Sequence, residues 1–183
     1  MIAYLLLPIL LFCVTTLSAG PETHTLLKVE DGDTLVIDLD GNPTRIQLLG
    51  IDAPEDVFNP KLKRDVQRTG KTEDSLLDLG RRATSHLQHL VAPGTKIIVE
   101  GDLKRKDKYG RIPVTVSRPG GAYSLNEMMV QQGYAIMLGS YSIDSREKTA
   151  LLQFEKQART GRIGLWESNP ELMEAWSGRP APE

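Results

Sequence analysis

The chain has 183 residues, with 22 Lys and Arg against 24 Asp and Glu and a formal charge of −2. That balance excludes a protein drawn to nucleic acid by its overall field, so any such binding has to come from a local site. A single cysteine, Cys13, excludes an internal disulfide and a cysteine-held zinc site.

Residues 1–20 carry no charged side chain and have about the length of a membrane span. They end in Ser18-Ala19-Gly20, small residues that suit signal peptidase, and Pro8 fits a leader better than a straight span. A cleaved signal peptide is expected, with an uncleaved anchor as the alternative. The protein is then exported, either secreted or periplasmic. Cys13 falls inside the leader, and Leu10-Leu11-Phe12 before it does not resemble a lipoprotein cleavage site. The roughly 160 residues that remain suffice for one core without covalent staples.

His24 to Glu30 reads as the first strand. The stretch Val29 to Glu55 then organises the rest of the chain. Asp33 to Leu39 alternates and is β-branched, Pro43 to Ile51 is a second apolar run, and Asp40-Gly41-Asn42 between them is a hairpin signal. Folding about Gly41 and Asn42 brings position 33 near position 50, so Asp33 comes within a strand residue or two of Asp52. Asp31 and Glu55 gather at the same end. Carboxylates crowded in this way repel one another unless a cation holds them, and oxygen ligands favour Ca²⁺ over zinc.

Asp56 to Asp74 mixes charges with little periodicity and is expected as an exposed loop. Its Lys61, Lys63, Arg64, Arg68 and Lys71 are read as solvated rather than phosphate-bound. Ser75 opens a helix with Leu76, Leu79, Ala83, Leu87 and Leu90 on one face, and Pro93-Gly94 ends it. His86 and His89 on that helix have no third ligand and are read as surface residues. Thr95 to Gly101 and Ile112 to Val116 are strands, with the turn Asp107-Lys108-Tyr109-Gly110-Arg111 between them. Ser124 and Glu127 form a capping box, and Arg146 to Arg159 is a last amphipathic helix with Ala150, Leu151, Phe154 and Ala158 inward. Leu165-Trp166 tucks back onto the core, and residues 169–183 read as a short helix and a frayed end. The pattern gives an α+β domain over residues 24–168.

Three motifs in order, Asp31-Gly32-Asp33-Thr34, Asp52-Ala53-Pro54-Glu55 and Asp107-Lys108-Tyr109-Gly110-Arg111, make the chain from Leu26 to Trp166 resemble the staphylococcal (micrococcal) nuclease family of thermonuclease-like domains. The resemblance implies a five-stranded OB-like Greek-key barrel with about three packed helices. It implies one Ca²⁺ held by Asp33, Asp52 and the carbonyl of Ala53, where the family often has Thr. It casts Glu55 as general base and Arg111 as the arginine on the phosphate. Lys108 and Tyr109 match positions that meet a terminal phosphate. Tyr141 matches one of two aromatics that flank the base, and Gly139 replaces the other. Gln47 stands where the family has a second phosphate-binding arginine, and Arg45, two positions earlier on the same face, is the candidate substitute.

The implied function is a calcium-dependent nuclease that hydrolyses DNA and RNA with little sequence preference. Single strands are the expected better substrate. No protein partner is implied, and a monomer is expected. The alternative is a weakened or inactive domain on the same barrel that binds nucleic acid or protein.

Overall fold

The computed structural model describes residues 22–139 and 143–179. The leader and Tyr141 lie outside the described residues. Strands β1 (Thr23–Val29), β2 (Thr34–Leu39), β3 (Asn42–Leu48), β5 (Lys96–Glu100) and β6 (Ile112–Ser117) close into a barrel in the order β1-β2-β3-β6-β5. Only the β3–β6 contact is parallel. Two short strands, β4 (Ile51–Asp52) and β7 (Ile136–Met137), pair outside the barrel. The helices are α1 (Pro60–Thr69), α2 (Glu73–Leu90), α3 (Leu125–Gln131), α4 (Ser145–Thr160), α5 (Leu165–Ser168) and α6 (Pro170–Ser177). No helix among the described residues is long and apolar enough to cross a membrane.

The β2–β3 hairpin turns on Asp40 and Gly41, not on Gly41 and Asn42. Both central residues have positive φ, 52° and 79°, and Leu39 faces Asn42. Such a two-residue turn matches the twist of the strands it joins. Position 33 therefore lies beside position 48, where the Leu48 amide donates to the Asp33 carbonyl at 2.8 Å. The two-residue difference from the expected register keeps every side chain on its expected face, whereas a slip of one would invert them all.

Alternate residues of the strands fill the barrel, among them Leu26, Leu35, Ile37, Ile46, Val114 and Val116, all fully buried. Gly50, at φ 79°, then turns the chain out of β3 so that β4 leaves the barrel rim and pairs with β7. The buried Asn126 of α3 fixes this corner: its amide donates to the carbonyls of Leu49 (2.9 Å) and Val114 (3.2 Å), and its oxygen accepts from the Val116 amide at 3.0 Å. The capping box of Ser124 and Glu127 that starts α3 is formed as expected.

The stretch expected as an exposed loop holds α1. Asn59 caps it by accepting from the amides of Lys61 and Leu62, Pro60 occupies the first turn, and Gly70 ends it at φ 66°. Helix α2 begins earlier than expected, capped by Thr72 rather than opened by Ser75. Its buried face is Leu76, Leu79, Gly80, Ala83, Thr84 and Leu87, with Leu90 partly buried. A second core gathers Leu62, Leu79, Trp166, Met173 and Trp176 among others, so α1, α5 and α6 form a layer beside the barrel. The tail is tied down as far as Arg179, whose Nε donates to the buried Glu155 at 2.8 Å and Nη2 to the Met137 carbonyl at 3.1 Å.

Candidate active site

The barrel rim, the loop after β4, the start of α1 and the turn before β6 enclose a cleft of about 640 Å³. Asp33 stands immediately before β2 and is 6% exposed. One of its carboxylate oxygens accepts from the Ala53 amide at 3.3 Å, and the other from the Thr34 hydroxyl at 2.9 Å. Asp31 accepts from the Asp33 amide at 3.0 Å, which folds the Asp31-Gly32-Asp33 turn onto itself. Asp52 and Glu55 reach the same cleft from β4 and the loop beyond it.

Burial pushes Asp33 well above the ordinary carboxylate range, and the carboxylates of Asp31 and Asp52 push the same way against Arg111 and Lys61. Asp31 is raised by burial and by Glu55. Asp52 is raised by burial despite Lys61 beside it. The corner thus carries more negative charge than its surroundings solvate, which is the electrostatic condition for a cation site. Among the described residues no three acidic or histidine side chains close directly on one point. An ammonium stands there instead: Lys61 Nζ lies 2.8 Å from Glu55, 3.2 Å from Asp52 and 3.2 Å from the Ala53 carbonyl oxygen. These are hard oxygen donors facing a positive charge, so the donor set fits a calcium ion by type. Lys61, expected in a solvated loop, is therefore part of the site.

Glu55 also accepts from the Asn59 side-chain amide. Its loop rests on α2 at Gly80, where a Cβ would meet the Glu55 carbonyl oxygen at 2.0 Å and its carbon at 2.2 Å. Inside a helix Gly→Ala ordinarily stabilises by about 1 kcal/mol. Here the obstacle is backbone, which cannot rotate away, so Gly80→Ala is expected to destabilise the protein by roughly 1–3 kcal/mol. A raised melting temperature in that variant would overturn this packing.

Arg111 enters from the opposite wall. Its Nε and Nη2 each lie 3.0 Å from Asp107 Oδ2, while Nη1 points to Thr34 Oγ1 (3.2 Å) and Asp33 Oδ1 (3.5 Å). Asp107 is fixed in turn by the amides of Tyr109 and Arg111, at 2.8 and 2.9 Å. Burial works to raise Asp107, but those donors and the guanidinium outweigh it and hold it below the usual carboxylate range. Lys108 and Tyr109 line the cleft mouth. Gln47 is 3% exposed, faces Thr34 across the hairpin and lines the cleft wall. Arg45 lines it too, but its fork is engaged: Nε donates to Glu30 at 3.0 Å, Nη2 lies 2.5 Å from the same carboxylate, and Nη1 is 3.4 Å from the Tyr109 carbonyl. Of the expected site residues, Asp33, Arg45, Gln47, Asp52, Glu55, Lys108, Tyr109 and Arg111 line the cleft. Ala53 does not line it but presents its carbonyl oxygen to Lys61, and Tyr141 is not described. His86 is stacked on Tyr134 at 3.8 Å between ring centroids, and its Nε2 lies 2.6 Å from Gln132 Oε1.

A five-stranded OB-like barrel with an acidic corner and an arginine facing each other at its rim defines a class, and the comparisons with known proteins name it. The model of the staphylococcal nuclease homologue family matches residues 45–168. The chain is 32% identical over 162 residues to protein ParB of Escherichia coli, covering 84% of this chain and 77% of that protein. It is 30% identical over 146 residues to the thermonuclease of Staphylococcus intermedius, covering 80% and 77%. Endonuclease YhcR of Bacillus subtilis is 30% identical over 149 residues, which is 80% of this chain but 12% of that longer protein. The chain belongs to the staphylococcal nuclease homologue family.

Proposed function

We propose that the protein is an exported, monomeric, calcium-dependent nuclease that hydrolyses phosphodiester bonds of DNA and RNA with little sequence preference, single strands best. The observation that carries this reading is the convergence of Asp33, Asp52, Glu55 and Arg111 on one cleft. Export rests on the uncharged leader with its small terminal residues.

Asp33, Asp52 and the Ala53 carbonyl would hold the metal. When bound, calcium supplies a Lewis acid that polarises a phosphate oxygen. Glu55, steadied by the Asn59 amide, takes the proton from the attacking water. Arg111, held by Asp107, aims Nη1 into the cleft and donates to the phosphate oxygens as charge grows on them. Lys108 and Tyr109 grip a neighbouring phosphate at the mouth. The second reading, a weakened binding domain, is favoured by one observation: Gln47 gives the wall an amide where the resemblance implies a charge.

Excess chelator is expected to abolish cleavage of single-stranded DNA, and Asp33→Asn or Asp52→Asn to weaken calcium binding in a titration. Undiminished cleavage in chelator would rule the mechanism out. The raised acids add a sign. Folding raises Asp31, Asp33 and Asp52, so the folded state binds more protons than the unfolded one. The metal-free protein therefore loses stability as pH rises from the ordinary carboxylate range through the raised values. Calcium, binding the folded form, is expected to restore it as a higher melting temperature.

A further inference from the structure

Helix α1 delivers a positive charge into the acidic corner. Lys61 Nζ touches Glu55, Asp52 and the Ala53 carbonyl oxygen at once, with Asp65 at 4.0 Å and the Trp176 ring centroid at 5.6 Å behind it. Burial works to lower Lys61, but Asp52 and Glu55 outweigh it and hold the ammonium above the usual lysine range. The placement is built into the fold. Asn59 both caps the first turn of α1 and donates to Glu55. Buried Leu62 anchors the helix in the second core. Arg68 joins α1 to α6 through the carbonyls of Ala175 (3.1 Å) and Trp176 (2.6 Å). Helix α6 lies beyond residues 45–168, the part that the family model matches.

We propose that Lys61 is a tethered cation that neutralises the acidic corner of the metal-free protein and has to leave it before a divalent ion enters, so that α1 sets the calcium affinity of the site. This rests on the calcium reading of the cleft. Two of the groups Lys61 touches, Asp52 and the Ala53 carbonyl, belong to the proposed metal set, and two cations cannot share those oxygens at contact distance. Calcium binding is then an exchange, and the apparent affinity is the intrinsic one multiplied by the fraction of molecules in which the ammonium has left the cradle. Displaced, the four-carbon stem would leave Lys61 at the cleft mouth beside Arg64 and Lys108, both of which line it.

The test uses the full chain with Lys61→Met and calcium titration by calorimetry, alongside thermal melts in chelator. Lys61→Met is expected to bind calcium roughly tenfold tighter, equivalent to about 1.4 kcal/mol. Its metal-free form is expected to melt about 3 °C or more below the parent, because the carboxylates lose their counter-ion. Lys61→Gln, which keeps a polar group without the charge, is expected to tighten binding as well, and it serves if the methionine variant does not fold. Lys61→Arg, which keeps the charge, is expected to stay near the parent affinity. Equal or weaker calcium binding in both uncharged variants would overturn the tethered cation, as would an Arg variant that tightens as much as they do. If neither the parent nor any variant binds calcium, the calcium reading itself fails, a result distinct from equal binding by all.

Discussion

Arg111→Lys is expected to slow cleavage by roughly a hundred- to a thousandfold, the loss typical of removing a preorganised transition-state donor. The reason is the shape of the side chain. Two nitrogens of the guanidinium are committed to Asp107 Oδ2, and the third is thereby aimed at Thr34 and the cleft. An ammonium is a point donor; it can pair with Asp107 or reach the phosphate, but it cannot be oriented by one while serving the other. The fold should tolerate the change. Asp107 keeps the amides of Tyr109 and Arg111, so the turn before β6 stays closed. A melting temperature within about 3 °C of the parent, which corresponds to roughly 1 kcal/mol in a chain this long, would separate lost chemistry from lost structure. A lysine variant within threefold of the parent rate would remove Arg111 from the phosphate.

The parts of this molecule that were legible in its sequence are those fixed by short-range chemistry. The β2–β3 hairpin follows from alternation and from Asp40-Gly41, and the start of α3 follows from Ser124 and Glu127. Even there the pairing register differs by two residues from the one the turn signal suggests, because Asp40, Gly41 and Asn42 all tolerate positive φ and only the cross-strand pairing selects among them. Helix α1 is hard to see in the sequence although Asn59-Pro60 is a start signal. The helix is polar overall and buries only Leu62 and Asp65, so although its few apolar residues share one face there is no apolar run to announce it. The same holds for Lys61, whose contacts with Asp52, Glu55 and the Ala53 carbonyl depend on where the helix points and not on any local pattern. Gly80 was invisible for a similar reason: nothing in its neighbourhood of the sequence announces the Glu55 carbonyl that lies against it. Asp107 was seen as part of a motif, yet its work in holding Arg111 appears only once the turn is closed.

Gln47→Arg is expected to accelerate cleavage at least several-fold. A charge-assisted hydrogen bond contributes about 1.5–3 kcal/mol, and withholding it from the transition state slows a reaction by roughly ten- to a hundredfold. Gln47 faces Thr34 across the hairpin, one residue along from Asp33, and lines the same cleft as Arg111. A guanidinium at this position would extend into a cleft whose lining carries the carboxylates of Glu30, Asp31, Asp33, Asp52 and Glu55. The alternative source of charge is Arg45, two residues earlier on the same face. Its fork is held by Glu30 and its third nitrogen faces the Tyr109 carbonyl, so reaching a phosphate would mean giving up a bidentate pair. Arg45→Ala is therefore expected to change the rate by less than about threefold, since the pair it breaks is partly exposed and Glu30 is left to solvent. Measured in one assay at saturating calcium, the two variants divide the cases. A large loss in Arg45→Ala would mean that Arg45 releases Glu30 when substrate arrives and supplies the second phosphate contact itself. No change in either variant of an active enzyme would mean that this wall of the cleft does not meet the phosphate at all, and that Arg111 alone carries the charge that grows on it.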